Sequence, residues 1–442
     1  MNPKRTACVI GGGVAGLSAA VFLTKSGFAV KLAEASPKLG GRAYSFFDKI
    51  VDRYVDNGQH IFASWYKDTF EFLKIIGSFE KLTFQKKLEI DFLDLSGNYF
   101  KLKCPDIKAP FHLLYGLINY KAIKLSDRLG AIKLIRQIKS GAIPESKLKS
   151  INTDELFELT GQTKALNEAF WKPFIIAVFN AQPEDTSAYL FAEIIKMGFI
   201  EKGNSELVQP DDFLSKVYVE PAEKYLNNNG SEVFKSTTVS KMNFKDDVVE
   251  SIELGNGKIL KSDYFISAVS FYDFKNLVGT EMFDREYSKV KDLKYSPILN
   301  IHIKFKSSIS SVMKNRFVGI LSGTIQWVFK VSDDQLCMVI SSAKDLAEKD
   351  KEEIIEICKN ELFKCLPELE KIEMTGVRVI KETRATFIPD NKSLEARPES
   401  KTKYKNFYIA GDWTNTGLPS TIEGAVRSSK TCLSEIIKSL NN

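Results

Sequence analysis

The chain of 442 residues is short of the residue types that most often mark metal or thiol chemistry. It has three histidines, at positions 60, 112 and 302, none of them at metal-ligand spacing, so no metal site is expected. Its six cysteines (Cys8, Cys104, Cys337, Cys358, Cys365, Cys432) are scattered and form no Cys-x-x-Cys pair. They read as reduced core or surface residues of a cytoplasmic protein. No run reaches 18 uninterrupted apolar residues, so no segment is expected to span a bilayer. The apolar Ala7–Ala33 region is broken by glycines and lacks a small-residue cleavage site, which argues against a secretory leader. There is no internal repeat and no low-complexity linker, and nucleic acid is not an expected partner.

What remains is the composition of a folded globular chain, 44% hydrophobic and 27% charged. Its length suits about two to three domain equivalents. The net charge of +6 is uneven: residues 101–150 carry eleven Lys/Arg against three Asp/Glu, leaving the rest slightly acidic.

The organising stretch is at the start. Ala7-Cys8-Val9-Ile10 reads as a strand, Gly11-Gly12-Gly13-Val14-Ala15-Gly16 as a glycine turn, Leu17 to Lys25 as a helix, and Ala29 to Ala33 as a second strand ending at Glu34. Each glycine has a task. Gly11 permits the tight turn, Gly13 lets backbone N–H groups approach a pyrophosphate, and Gly16 lets the helix pack close to the strand. The helix N-terminus then offers its positive dipole end to the phosphates, and Glu34 can accept from a ribose. This predicts a dinucleotide site in an α/β domain.

Pro37-Lys38-Leu39-Gly40-Gly41-Arg42-Ala43 follows closely. Near the other end come Phe407-Tyr408-Ile409-Ala410-Gly411-Asp412-Trp413 and Gly417-Leu418-Pro419-Ser420-Thr421-Ile422-Glu423-Gly424-Ala425. Together these segments resemble the flavoprotein superfamily that holds the amine oxidases and phytoene desaturases. The resemblance implies FAD. It implies that Gly41 passes under the cofactor, that Arg42 reaches its phosphates, and that Gly411 and Asp412 turn near the ribityl-phosphate. Thr421 and Ile422 open a helix aimed at the flavin ring, Val239 meets the adenine end through its backbone, and the Asp56-Asn57-Gly58 turn lies beside the flavin.

Further matches, at Asp56-Asn57-Gly58-Gln59-His60, Trp171-Lys172-Pro173 with Asn180, and Arg384-Ala385-Thr386-Phe387, resemble the bacterial squalene-associated branch, the hydroxysqualene dehydroxylases. This resemblance covers essentially the whole chain. It implies an α/β (α+β overall) fold, with a discontinuous Rossmann-like FAD-binding domain (1–85, 206–270 and 376–442) and an inserted substrate domain of mixed sheet and helices (86–205 and 271–375).

Within that frame, Leu88 to Leu102 reads as two strands joined at Ser96-Gly97-Asn98, Val233 to Val239 as one strand, and Val248 to Leu260 as a hairpin. Pro297 to Phe305 is an alternating strand with which Ile325–Phe329 and Gln335–Ser341 are expected to pair. Lys121 to Ile138 reads as a basic amphipathic helix. It is either a membrane-surface helix or a domain helix with a solvated basic face. The block Phe170–Asn180 is core, part of which is expected to wall a hydrocarbon tunnel.

The function implied is reductive dehydroxylation of hydroxysqualene to squalene. The alternatives are a carotenoid (phytoene or diapophytoene) desaturase, a flavin amine oxidase and a non-catalytic FAD-bearing scaffold. The expected partners are a lipophilic isoprenoid, a membrane surface met through 110–140, and other enzymes of the squalene pathway. His60 is the candidate proton donor, because imidazole titrates near the working pH; Asp56 is the second choice.

Overall fold

A computed structural model describes residues 4–108, 110–200 and 205–441. Its first layer is a five-stranded parallel sheet in the order Glu232–Phe234, Ala29–Ala33, Thr6–Ile10, Tyr264–Ser267, Phe407–Ile409. The strands are short, nearly continuous apolar runs, as a sheet covered on both faces requires. They come from opposite ends of the chain, so this layer closes only when both ends have folded onto the middle. The helix Val14–Lys25 packs against the first two strands and against the long C-terminal helix Ile422–Asn441. Ser18 Oγ and Ser429 Oγ meet at 3.0 Å in that buried contact. Gly16 is obligatory here, because a Cβ would lie 1.8 Å from the Gly11 carbonyl oxygen.

The second layer is a seven-stranded mixed sheet in the order Met374–Phe387, Tyr295–Phe305, Gln335–Ser341, Trp327–Ser332, Phe317–Ile320, Glu89–Leu93, Tyr99–Lys103. Ile325–Phe329 was expected to pair with Pro297–Phe305. Instead, Gln335–Ser341 lies between the two. Only Asp333 and Asp334 separate Ser332 from Gln335, and so short a connection makes adjacent antiparallel strands immediate neighbours. Met374–Phe387 is the edge strand of this second sheet, so the chain returns to the parallel sheet only at Phe407.

The strand expected over Val233–Val239 is two strands. Glu232–Phe234 joins the parallel sheet, and Val239–Lys245 starts an antiparallel meander with Val248–Leu254 and Ile259–Leu260. The break falls at Ser236, whose φ is +52°. The Ser236 and Thr237 N–H groups turn back to the carbonyls of Ser36 and Glu34 at 3.0 and 2.8 Å, anchoring the crossover beside Glu34.

The helix Lys351–Cys365 packs on the face of the second sheet that carries Leu299, Ile301 and Ile303, away from the cavity. The basic helix runs from Leu125 to Ser140 rather than from Lys121, because Lys124 takes an extended N-cap conformation after a separate helix, Phe111–Asn119. All six cysteines are buried and unpaired. No helix among the described residues is long and apolar enough to cross a membrane.

Candidate FAD site and substrate cavity

A cavity of about 1,090 Å³ runs from the parallel sheet into the seven-stranded one. Gly11, Gly13, Glu34, Gly41, Arg42, Gly58, His60, Val239, Gly411, Asp412, Thr421 and Ile422 all line it. Gly16 and Asp56 do not.

At its end beside the parallel sheet two backbones pass each other with no side chain between them. Gly40 N–H donates to the Gly12 carbonyl at 2.9 Å. Gly41, at φ +62°, would carry a Cβ 2.9 Å from the Gly13 Cα. Gly13 is also the N-cap of the first helix and supplies no side-chain cap, which leaves the helix's opening N–H groups for an anion. This cradle fits a pyrophosphate and would be filled by any side chain. Glu34 accepts from the Gly12 and Ser36 N–H groups at 2.5 and 2.7 Å. A carboxylate has about four acceptor sites, so it can still take ribose hydroxyls.

Arg42 and Asp412 tie the two sequence motifs together. The Arg42 guanidinium ion-pairs with Asp412 and donates to the Ala385 carbonyl at 3.1 Å. Burial opposes its charge, but the Asp412 carboxylate outweighs burial and holds the pKa above its ordinary value. The other Asp412 oxygen accepts from Ser420 Oγ. With both oxygens engaged, Asp412 organises the site. Two of the five guanidinium donors of Arg42 are used, leaving others for phosphate. Thr421 Oγ1 caps the last helix by accepting from Gly424 N–H at 2.9 Å.

The Asp56-Asn57-Gly58 turn is braced from below. Asp56 points away from the cavity. Its carboxylate accepts from Ser45 Oγ at 2.6 Å and Leu214 N–H at 3.0 Å, and burial pushes its pKa up to about 6. It therefore braces the turn and has no route to a substrate oxygen, which removes it as the second proton donor. Asn57 holds the Arg42 carbonyl at 2.9 Å and Glu382 at 3.1 Å. From the seven-stranded sheet, Asn300 Nδ2 donates to the Asn57 carbonyl at 2.9 Å, and His302 Nε2 reaches the Asp56 carbonyl at 3.2 Å.

His60 lines the cavity. Its Nδ1 lies 2.7 Å from the Gly58 carbonyl. A carbonyl only accepts, so Nδ1 carries the proton and Nε2 is an acceptor in the neutral ring. Burial holds the His60 pKa below its ordinary value, against the pull of the Gly58 hydrogen bond.

Sequence reasoning missed Asn300 and Glu382, both cavity-lining polar groups beside this turn. Asn300 had a signal, being a lone amide in the otherwise apolar Ile298-Leu299-Asn300-Ile301. Glu382 had none, because its place depends on a strand pairing with Ile298. One stretch of the wall is apolar and aromatic, with Trp65, Phe92, Phe170, Phe174, Phe317 and Trp327.

The profile of the family described as flavin containing amine oxidoreductase matches residues 14–437. A hydroxysqualene dehydroxylase of Zymomonas mobilis is 29% identical over 96% of this chain and 97% of its own length. A second, of Rhodopseudomonas palustris, is 28% identical over 96% of both chains. A 15-cis-phytoene desaturase of an Oncidium hybrid is 23% identical over 99% of this chain and 79% of its own. Among solved structures, cyclohexylamine oxidase of Brevibacterium oxydans superposes with a TM-score of 0.72 at 14% identity, covering 100% of both chains.

Proposed function

From the premise that the chain belongs to the flavin-containing amine oxidoreductase family and is an FAD-dependent oxidoreductase, we propose that it carries out reductive dehydroxylation of hydroxysqualene to squalene. The observation that carries this reading is the division of the cavity. Polar groups gather along the cofactor cradle and around the Asn57–His60 turn, with Asn180, Asn300 and Glu382, whereas the stretch of wall carrying Trp65, Phe92, Phe170, Phe174, Phe317 and Trp327 is hydrocarbon and aromatic ring. That suits a long isoprenoid with a single hydroxyl. A small polar amine would leave most of that apolar wall unfilled, since pockets bury most of the surface of the ligand they take. The full-length relatives named hydroxysqualene dehydroxylase support the same substrate class.

When bound in its reduced form, FAD supplies the hydride. The protein's share is one proton and a dry site. The proton goes to the substrate hydroxyl oxygen, the C–O bond breaks, and water leaves. The allylic carbon then takes the hydride, so alcohol, proton and hydride give hydrocarbon and water. His60 is the donor in this scheme. Its Nδ1–H is committed to Gly58, so donation is from Nε2 of the imidazolium. Asn57 and Asn300 keep the turn that carries His60 in place. The apolar walls exclude the water that would quench an allylic cation.

The test is anaerobic incubation of the reduced, FAD-loaded protein with hydroxysqualene, followed by mass analysis. A product lacking one oxygen atom supports the assignment. Failure there, with desaturation of phytoene by the oxidised protein, would replace it with the desaturase reading.

A further inference from the structure

We propose that the face formed by the helices Phe111–Asn119 and Leu125–Ser140 docks on an anionic lipid bilayer, at the apolar end of the substrate cavity. The proposal deepens the functional reading and rests on it for the nature of the substrate.

The first observation is a single row of residues across the seven-stranded sheet. Asn300 pairs with Val339, Val339 with Trp327, Trp327 with Gly319, Gly319 with Phe92, and Phe92 with Phe100. Residues directly opposite each other share a face. Asn300, Val339, Trp327 and Phe92 all line the cavity. Gly319 leaves room for the Phe92 ring, which a Cβ there would approach to 2.5 Å. Neighbouring strands are about 4.8 Å apart, so five steps carry the cavity floor roughly 24 Å from the polar turn. At the far end stand Leu102 and Leu113, both also cavity-lining, and Leu113 belongs to the helix Phe111–Asn119.

The second observation is the outer surface of that helix. Phe111, Tyr115 and Ile118, spaced as one helical stripe, are 61%, 54% and 45% exposed. On the next helix Leu125 and Leu129 are 57% and 55% exposed. Arg128 ties the two helices by donating to the carbonyls of Ile118 and Ile123. One helix thus gives Leu113 to the cavity and a bulky apolar stripe to solvent.

The third observation is charge. Lys108, Lys121, Lys124, Lys133, Arg136 and Lys139 are exposed, and none is ion-paired among the described residues. Between residues 107 and 144 the only acid is Asp127. A bulky apolar centre with an unneutralised basic surround matches an interfacial surface that lies on anionic headgroups. The same surface would let a water-insoluble chain pass from lipid toward the polar turn without crossing solvent.

The experiment is sedimentation of the FAD-loaded full chain with vesicles of phosphatidylcholine, alone or mixed with phosphatidylglycerol. No substrate is present, so failure of the dehydroxylation reading leaves this result intact. The expected result is pelleting with the anionic vesicles that falls as salt rises. In a Lys121→Gln/Lys124→Gln/Lys133→Gln variant the partition coefficient should fall about 100-fold, at roughly fivefold per cation. A Phe111→Ser/Tyr115→Ser/Leu125→Ser/Leu129→Ser variant should lose binding while keeping its FAD spectrum, because these side chains are exposed. A Phe47→Ser/Tyr54→Ser variant, altering another exposed aromatic pair, should bind as the parent does. Equal pelleting of parent and variants, loss confined to the Phe47/Tyr54 change, or self-association through the two helices without vesicles would overturn the proposal.

Discussion

Replacing Gly41 with alanine isolates the contact on which the phosphate cradle depends. Gly41 sits at φ +62°, where a side chain is strained, and its Cβ would be 2.9 Å from the Gly13 Cα. That neighbour is backbone and cannot rotate away. The left-handed conformation alone costs an alanine about 1–2 kcal/mol. In the cofactor-free variant the loop is expected to relieve this by shifting off Gly13. FAD needs both backbones in place, so binding must reverse the shift, and the cost enters the dissociation constant. At 1.4 kcal/mol per factor of ten, FAD affinity should fall about tenfold or more. The control is Gly27→Ala. Gly27 has φ +89° and nothing within 4 Å of its Cβ position, in the turn after the first helix. It carries a similar backbone penalty but touches no part of the site, so it should lower Tm and leave FAD affinity alone. Flavin fluorescence during titration of the cofactor-free protein measures both. An FAD dissociation constant for Gly41→Ala equal to that of Gly27→Ala would refute the reasoning.

His60→Ala should keep FAD and fold but lose about 10²–10⁴-fold in turnover, the usual worth of a general acid. Because burial holds the His60 pKa below 6.5 and donation needs the imidazolium, the parent's kcat/KM should fall as pH rises through that region; a variant within a few-fold of the parent, or an unchanged pH profile, would make His60 structural. Asp56 titrates at about 6 in the fold against 3.8 as an unperturbed group, so the folded state binds its proton more tightly. Its contribution is full below pH 3.8 and is lost as pH rises through 6, about 3 kcal/mol in all. Asp56→Asn should therefore flatten the decline of Tm across that window, and parallel curves would contradict the burial of the carboxylate. FAD should be released by acid precipitation, since a covalent link needs a Cys or His beside the ring and neither occurs in Gly411–Ala425, the segment expected to approach it; colour retained on the precipitate would show a covalent link.

Most of the cofactor cradle was legible in the sequence. Gly11, Gly16 and Gly41 stand where backbone meets backbone too closely for a side chain, and Glu34 follows its strand at a set distance. The sequence also carried the hairpins. It did not carry the direction of Asp56. Whether that carboxylate faces the cavity or the Leu214 N–H depends on a segment more than 150 residues away. Nor did it carry the division of Val233–Val239, because Ser236 breaks the strand to satisfy hydrogen bonds around Glu34.

By itself, then, the sequence determined the α/β character, the glycine turns and FAD as the cofactor. These are local demands, written in the residues that meet them. Only the tertiary structure decided which polar groups stand beside the reacting position and where the apolar floor leads. Asn300 reaches the turn because its strand passes beneath residue 57, and Phe92 lies in the same row because four separate strand pairings bring it there. Such rows are set by pairing register between distant segments, which one strand's own pattern cannot specify.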